Sequence, residues 1–265
     1  MFIILLILII LSTVKSQEGQ KIFIDEYHVI FLPEEHTSKE DHSFQLEIIK
    51  LLSSKGYKFV IAMEMFQQPF QTFLDQYINC QIDEDEMLRK TEYHKRWGFD
   101  PSLYRDLWRF AKEKGIRIIA INIPSELVQR IRREGLDGLK DVSLPDPLIP
   151  HTEREKERLR EFLKNHPKVD ENSFFNIQKA WDNGMAFAIA NFLERYPDYK
   201  VVALVGRGHA QDYDSGIPRI LNLLRPGVRM VIFRREDYSR GFLFSMDFSK
   251  DSSSANSIRE PNCKP

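Results

Sequence analysis

Cysteine is scarce in this chain. Only two occur in 265 residues, Cys80 and Cys263, and they form no CxxC pair, so a cysteine-built zinc site is excluded. A bridge between them would need an oxidising compartment, and the polar tail around Cys263 argues against one. Charge of one sign is also lacking. Lys+Arg total 38 against 39 Asp+Glu, a net charge of -1, so no broad basic face is expected and nucleic acid is not a partner. No apolar run reaches the roughly 20 residues that a membrane-spanning helix needs. There is no Walker A loop, no GxSxG elbow and no HExxH helix. Gly206-x-Gly208 lacks a third glycine and lies late in the chain, so it is no dinucleotide fingerprint.

Hydrophobic residues, by contrast, make up 42% of the chain and 19 are phenylalanine, ample for a core. Residues 2–14 form an apolar stretch closed by Lys15, with Val14 and Ser16 at cleavage-like positions. This predicts a signal peptide or short N-terminal anchor over residues 1–16 and an exported protein, periplasmic or membrane-associated through its N-terminus. No cysteine follows the run to carry a lipid. Residues 17–248 are expected to form one domain, and the Ser- and Asn-rich residues 249–265 a disordered tail.

Within that domain, short β-branched and apolar runs alternate with helical periodicity. Strands are expected at Tyr27–Leu32, Tyr57–Met63, Ile116–Ile121, Lys200–Val205 and Val228–Phe233, with a sixth at Phe242–Met246. Helices are expected at Lys39–Leu52, Gln68–Ile78, Asp83–Lys90, Pro101–Lys114, Ser125–Glu134, Thr152–Asn165, Asn172–Arg195 and Ile217–Leu224. The alternation predicts an α/β fold with a central, mostly parallel sheet and helices on both faces.

Ligands of such sheets collect beyond the carboxyl ends of the strands. Three of these ends carry chemistry: Glu34-Glu35-His36, Glu64, and Gly206-Arg207-Gly208-His209. Glu34, His36, Glu64 and His209 are therefore candidates either to ligate a divalent metal or to act as acid and base in hydrolysis. His42 and Gln45 share a face of the first helix. Gln178, Trp181, Asp182 and Met185 share one face of the long helix, and apolar neighbours predict that this face is buried, so Asp182 must be paired or must line a site. Tyr93, His94 and Tyr104 are candidate iron ligands, since His and Tyr both bind haem iron.

Taken in order, Glu34-x-His36, His42-x-x-Gln45, Ala62-Met63-Glu64-Met65-Phe66, Ala120-x-Asn122-x-Pro124, Gln178-x-x-Trp181-Asp182-x-x-Met185-Ala186 and Gly206-x-Gly208-His209 resemble the ChaN-like haem-binding uptake family. That family sits in a superfamily with Tiki, TraB and erythromycin-esterase-like proteins. The resemblance runs from about Tyr27 to Phe233. It implies haem as cofactor, a role in haem or iron uptake, and homodimers that hold haem between subunits. It carries over no haem ligand residue by residue; His42, Tyr93, His94, Tyr104 and Asp182 are candidate cofactor contacts from their own chemistry and placement. From the wider superfamily it implies a metal or catalytic site of paired Gly-x-x-His motifs and a Glu, falling here on Pro33–His36, Glu64 and Gly206–His209. A metal-dependent hydrolase is the alternative function. Pro33 departs from the pattern, standing where the family has Gly.

Overall fold

A computed structural model describes residues 21–239 and 243–245. The expected leader and tail lie outside the described residues. Five parallel strands form the main sheet: β2 (Val29–Glu34), β3 (Phe59–Gln67), β4 (Ile118–Asn122), β5 (Lys200–Gly206) and β6 (Met230–Ile232), in the order β4-β3-β5-β2-β6. The predicted α/β class is the observed one. A separate parallel pair joins β1 (Lys21–Phe23) to β7 (Leu243–Ser245), so the expected sixth strand does not extend the main sheet.

The described helices are α1 (Lys39–Ser54), α2 (Gln71–Ile78), α3 (Glu84–Lys90), α4 (Tyr93–Arg96), α5 (Arg105–Glu113), α6 (Ser125–Glu134), α7 (Glu153–Leu163), α8 (Glu171–Arg195), α9 (Gly216–Leu224) and α10 (Arg235–Ser239). None is long and apolar enough to cross a membrane. Caps follow their sequence signals. Ser38 accepts from Asp41 N–H at the start of α1, and Thr152 with Glu155 forms a capping box on α7. Pro101 starts a short 3-10 turn rather than a long helix, and α5 begins only at Arg105. The expectation for a Cys80–Cys263 bridge falls on Cys263, which lies outside the described residues.

The period-2 alternation of the strands builds two cores on opposite faces of the sheet. Ile30, Leu32, Ile61 and Met63 pack with α1, α2 and α5 on one side. Val29, Phe31, Val60 and Ala62 pack with α8 and α9 on the other. The same alternation decides where the acids go. Glu34 continues the even positions of β2 toward α1. Glu64, next after Met63, points to the α8 side. Strand β3 also outruns its expected end at Met63, continuing to Gln67 with a shift of register, so Glu64 lies inside a strand.

Pro33 costs the sheet nothing. It pairs with Val205 of β5, while β6 stops pairing with β2 at Phe31. The side of β2 on which its N–H would donate, the β6 side, is past the end of that ladder.

Candidate functional site

Glu34 ends β2 and is buried beneath the rim. Its Oε1 accepts from the Tyr104 hydroxyl at 2.7 Å and faces His36 Nδ1 at 3.0 Å. Its Oε2 accepts from Gln45 Nε2 at 2.8 Å, and His42 Nε2 lies 3.3 Å away. Burial by itself would raise this carboxyl's pKa. The bonds from His36, His42 and Tyr104 outweigh it and hold the group at about 2. Helix α1 supplies His42 and Gln45 three residues apart, and Tyr104 arrives from the turn before α5.

A second acid–imidazole assembly stands on the opposite face. His209 Nδ1 faces Asp182 Oδ1 of α8 at 2.6 Å, and its Nε2 lies 3.5 Å from Glu64 Oε1. Burial would lower this imidazole's pKa, but the charges of Glu64 and Asp182 push it up to about 9. Glu64 Oε2 also accepts from Gly206 N–H at 2.6 Å. Whether Asp182 reached the rim was beyond the sequence; the fold pairs it with His209.

Gly206 couples the two assemblies. A Cβ there would lie 2.8 Å from His36 Cε1 and 3.0 Å from its Nε2, with Glu64 Oε2 at 3.5 Å. Only glycine admits the imidazole so close to β5. His36 also meets Trp97 and Phe99, at ring-centroid distances of 4.7 and 5.1 Å. Its pKa is raised: burial opposes, but the bond to Glu34 and the charge of Glu64 prevail.

Two cavities open on this centre. One, of about 400 Å³, runs under α7 and is lined by His36, His209 and His151 on its polar side and by Leu159, Phe162 and Phe174 on the other. Phe162 and Phe174 lie 5.5 Å apart with their planes only 8° from parallel. The other cavity, of about 490 Å³, lies between α6 and α8, with His36, Glu64, Asn122 and His209 at its base. Helix α7 is fixed over the first by Arg158, bonded to Asp212 at 2.5 Å, and by the buried Glu155, which accepts from Gly216 N–H at 2.8 Å.

Glu34, His36, Glu64, His209, His42 and Asp182 thus converge as one cluster. Tyr93 and His94 are not in it. Tyr93 is buried in the core against Phe66 and Trp108, and His94 is exposed. Tyr104 is buried behind Glu34, and desolvation together with that carboxylate's charge raises its phenol pKa, so it acts as a donor rather than a phenolate. The metal expectation for Glu34, His36, Glu64 and His209 gains no support from the geometry. Among the described residues no group of three or more His, Cys, Asp or Glu side chains is arranged to hold a metal ion. Glu34 is engaged by Gln45, His36 and Tyr104, Glu64 Oε2 accepts from Gly206 N–H, and His209 Nδ1 faces Asp182.

Sequence reasoning missed His151, Phe162, Phe174 and Arg158. His151 follows a proline-rich loop and carries no local signal. Phe162 and Phe174 stand out only as apolar positions on charged helical segments.

The fold and the cluster define a class: an α/β protein with paired acid–imidazole assemblies at the carboxyl edge of a parallel sheet, opening into an aromatic-walled cleft. The chain belongs to the family described as haem-binding uptake, Tiki superfamily, ChaN, which it matches over residues 24–221. The solved structure of ChaN of Campylobacter jejuni with cofacially bound haem is similar in fold, with a TM-score of 0.64 and 20% identity over 79% of this chain and 81% of that one. An erythromycin esterase mutant in its open conformation gives a TM-score of 0.48 at 14% identity, covering 79% of this chain and 70% of that one. Among curated proteins, the chloroplastic protein RETICULATA-RELATED 5 of Arabidopsis thaliana is 25% identical over 115 residues, 41% of this chain. The match spans only 15% of that relative's length.

Proposed function

We propose that this protein is an exported haem-binding protein serving haem or iron uptake, and that haem sits in the cleft under α7. The observation that carries this reading is the pairing of an aromatic cavity wall with an imidazole, His151, that makes no hydrogen bond or ion pair among the described residues. Phe162, Phe174 and Leu159 line the cavity with apolar surface suited to the hydrocarbon body of a macrocycle, and His151 lines the same cavity. Burial lowers the pKa of His151, which keeps it neutral and able to ligate. His36 and His209 are each tied to carboxylates and drawn toward the protonated form, so they suit hydrogen bonding to a ligand better than iron ligation. Haem bound there would supply an iron centre; the chain's residues would cover its faces, exclude water and orient it.

Membership of the haem-binding uptake family supports the same reading. Pairing of two copies around haem is part of the proposal, as is attachment to a membrane through the N-terminus.

The test is a hemin titration of the purified protein followed by its Soret band. A saturable, red-shifted band at micromolar hemin is expected, and His151→Ala should change its position. No specific band would sink the reading. Attention would then turn to hydrolysis, which one observation favours: the Asp182–His209–Glu64 chain ends at a cavity and is built for moving protons.

A further inference from the structure

The cavity between α6 and α8 is unused by the reading above, yet it adjoins the first. His36, Gln178 and His209 line both. Its α6 wall is a single helical face: Ser125, Val128, Gln129 and Arg132 follow one another at spacings of three, one and three residues, while Leu127 and Ile131 turn into the core. Gln178 and Trp181 of α8 form the facing wall.

Commitment of the polar groups separates this cavity from an ordinary surface cleft. Three other guanidiniums line the two cavities, and all are engaged. Arg96 donates to Glu126 at 2.7 and 2.8 Å, Arg158 to Asp212 at 2.5 Å, and Arg207 to Glu236 at 3.0 Å. Arg132 is exposed and forms no ion pair or hydrogen bond among the described residues. The acids near it are already satisfied: Glu126 by Arg96, and Glu64 by Gly206 N–H with His209 beside it. At the floor, Asn122 is buried, donates to the Glu64 carbonyl at 3.0 Å, and leaves its Oδ1 without a partner. An unengaged cation with Gln129 beside it on α6, and Gln178 on the facing wall, make a set of donors suited to an anionic ligand group; the Asn122 acceptor below would take a donor and plays no part in holding the anion.

We infer that the α6–α8 cavity receives the anionic end of the ligand whose flat body lies under α7, with Arg132 pairing a carboxylate of a porphyrin. The inference rests on the haem reading and adds a second subsite to it. The carboxylate is placed past the His36–His209 threshold, with Gln129 and Gln178 in reach of its remaining lone pairs and Trp181 covering the passage.

Porphyrin esters decide the matter. Full-length protein and its Arg132→Ala variant are titrated with hemin and with hemin dimethyl ester, which lacks the free carboxylates. Arg133→Ala, one residue along and paired to Glu134, serves as the surface control. Loss of a charge-assisted bond should weaken hemin binding about tenfold in Arg132→Ala and leave the ester unchanged. The control should match the wild type. Equal affinities of Arg132→Ala and wild type for hemin would overturn the subsite while leaving haem binding intact, and so would an equal loss for hemin and ester. Absence of a saturable band in the wild type would sink the haem reading and the subsite together.

Discussion

Removing one oxygen from the buried cluster makes a sharp test. Tyr104→Phe keeps the ring, which packs against His42 at 4.3 Å and Trp97 at 6.3 Å, and deletes the hydroxyl that donates to Glu34 Oε1 at 2.7 Å. Glu34 is 1% exposed, so no water replaces the lost donor without rearrangement. A hydrogen bond to a buried charge contributes about 1.5–3 kcal/mol. For a chain of this size, each kcal/mol lowers the melting temperature by about 2–4 °C, so a fall of about 3–12 °C is expected. Acid unfolding should shift too. The Glu34 carboxyl is held at about 2, below its ordinary 4.5, so its stabilisation is present above pH 4.5 and lost as pH falls toward 2. Losing a donor raises the folded pKa and moves the acid midpoint upward. Calorimetry and circular dichroism against pH measure both. An unchanged melting temperature with an unchanged acid midpoint would refute the claim that the phenol holds this carboxylate ionised. The same variant should leave any Soret band in place, since the hydroxyl faces Glu34 rather than a cavity.

Other expectations follow from the same geometry. Gly206→Ala forces a Cβ to 2.8 Å from His36 Cε1, and overpacking of this kind costs about 1–3 kcal/mol; a crystal structure with His36 undisplaced and a normal melting temperature would contradict it. His209 is raised from 6.5 to about 9, so its stabilisation is full below pH 6.5 and disappears as pH climbs through about 9. NMR titration of the imidazole should show this, and His209→Gln should flatten the alkaline limb of the stability curve. Glu155→Gln weakens the bonds from Arg219 and Gly216 N–H that seat α7, so proteolysis within α7 should speed up while the sheet core stays protected from hydrogen exchange.

Much of this architecture was legible without coordinates. The β-branched runs and their helical partners set a parallel sheet, and Glu34, His36, Glu64 and His209 were found because strand ends are where such sheets place ligands. The i, i+3, i+4 spacing on α8 marked Asp182 as buried, and so either paired or lining a site. Metal ligation was not decidable there, because residue types do not reveal how many lone pairs remain. Glu34 alone is engaged by Gln45, His36 and Tyr104, from three separate stretches of chain. Tyr104 was noticed for its chemistry as an iron ligand, but its burial turned it into a donor.

Local order, then, belonged to the sequence by itself: periodicity, caps and the rim acids come from interactions within a few residues. Tertiary structure alone decided the pairings across long separations. Asp182 meets His209 across the join of α8 and β5, Gly206 makes room for His36, and His151 faces Phe162 and Phe174 across a cleft. These depend on the register of β2 against β5 and on how α7 is pinned to the loop before α9. Such distances follow from the packing of whole elements, and no short window of sequence contains them.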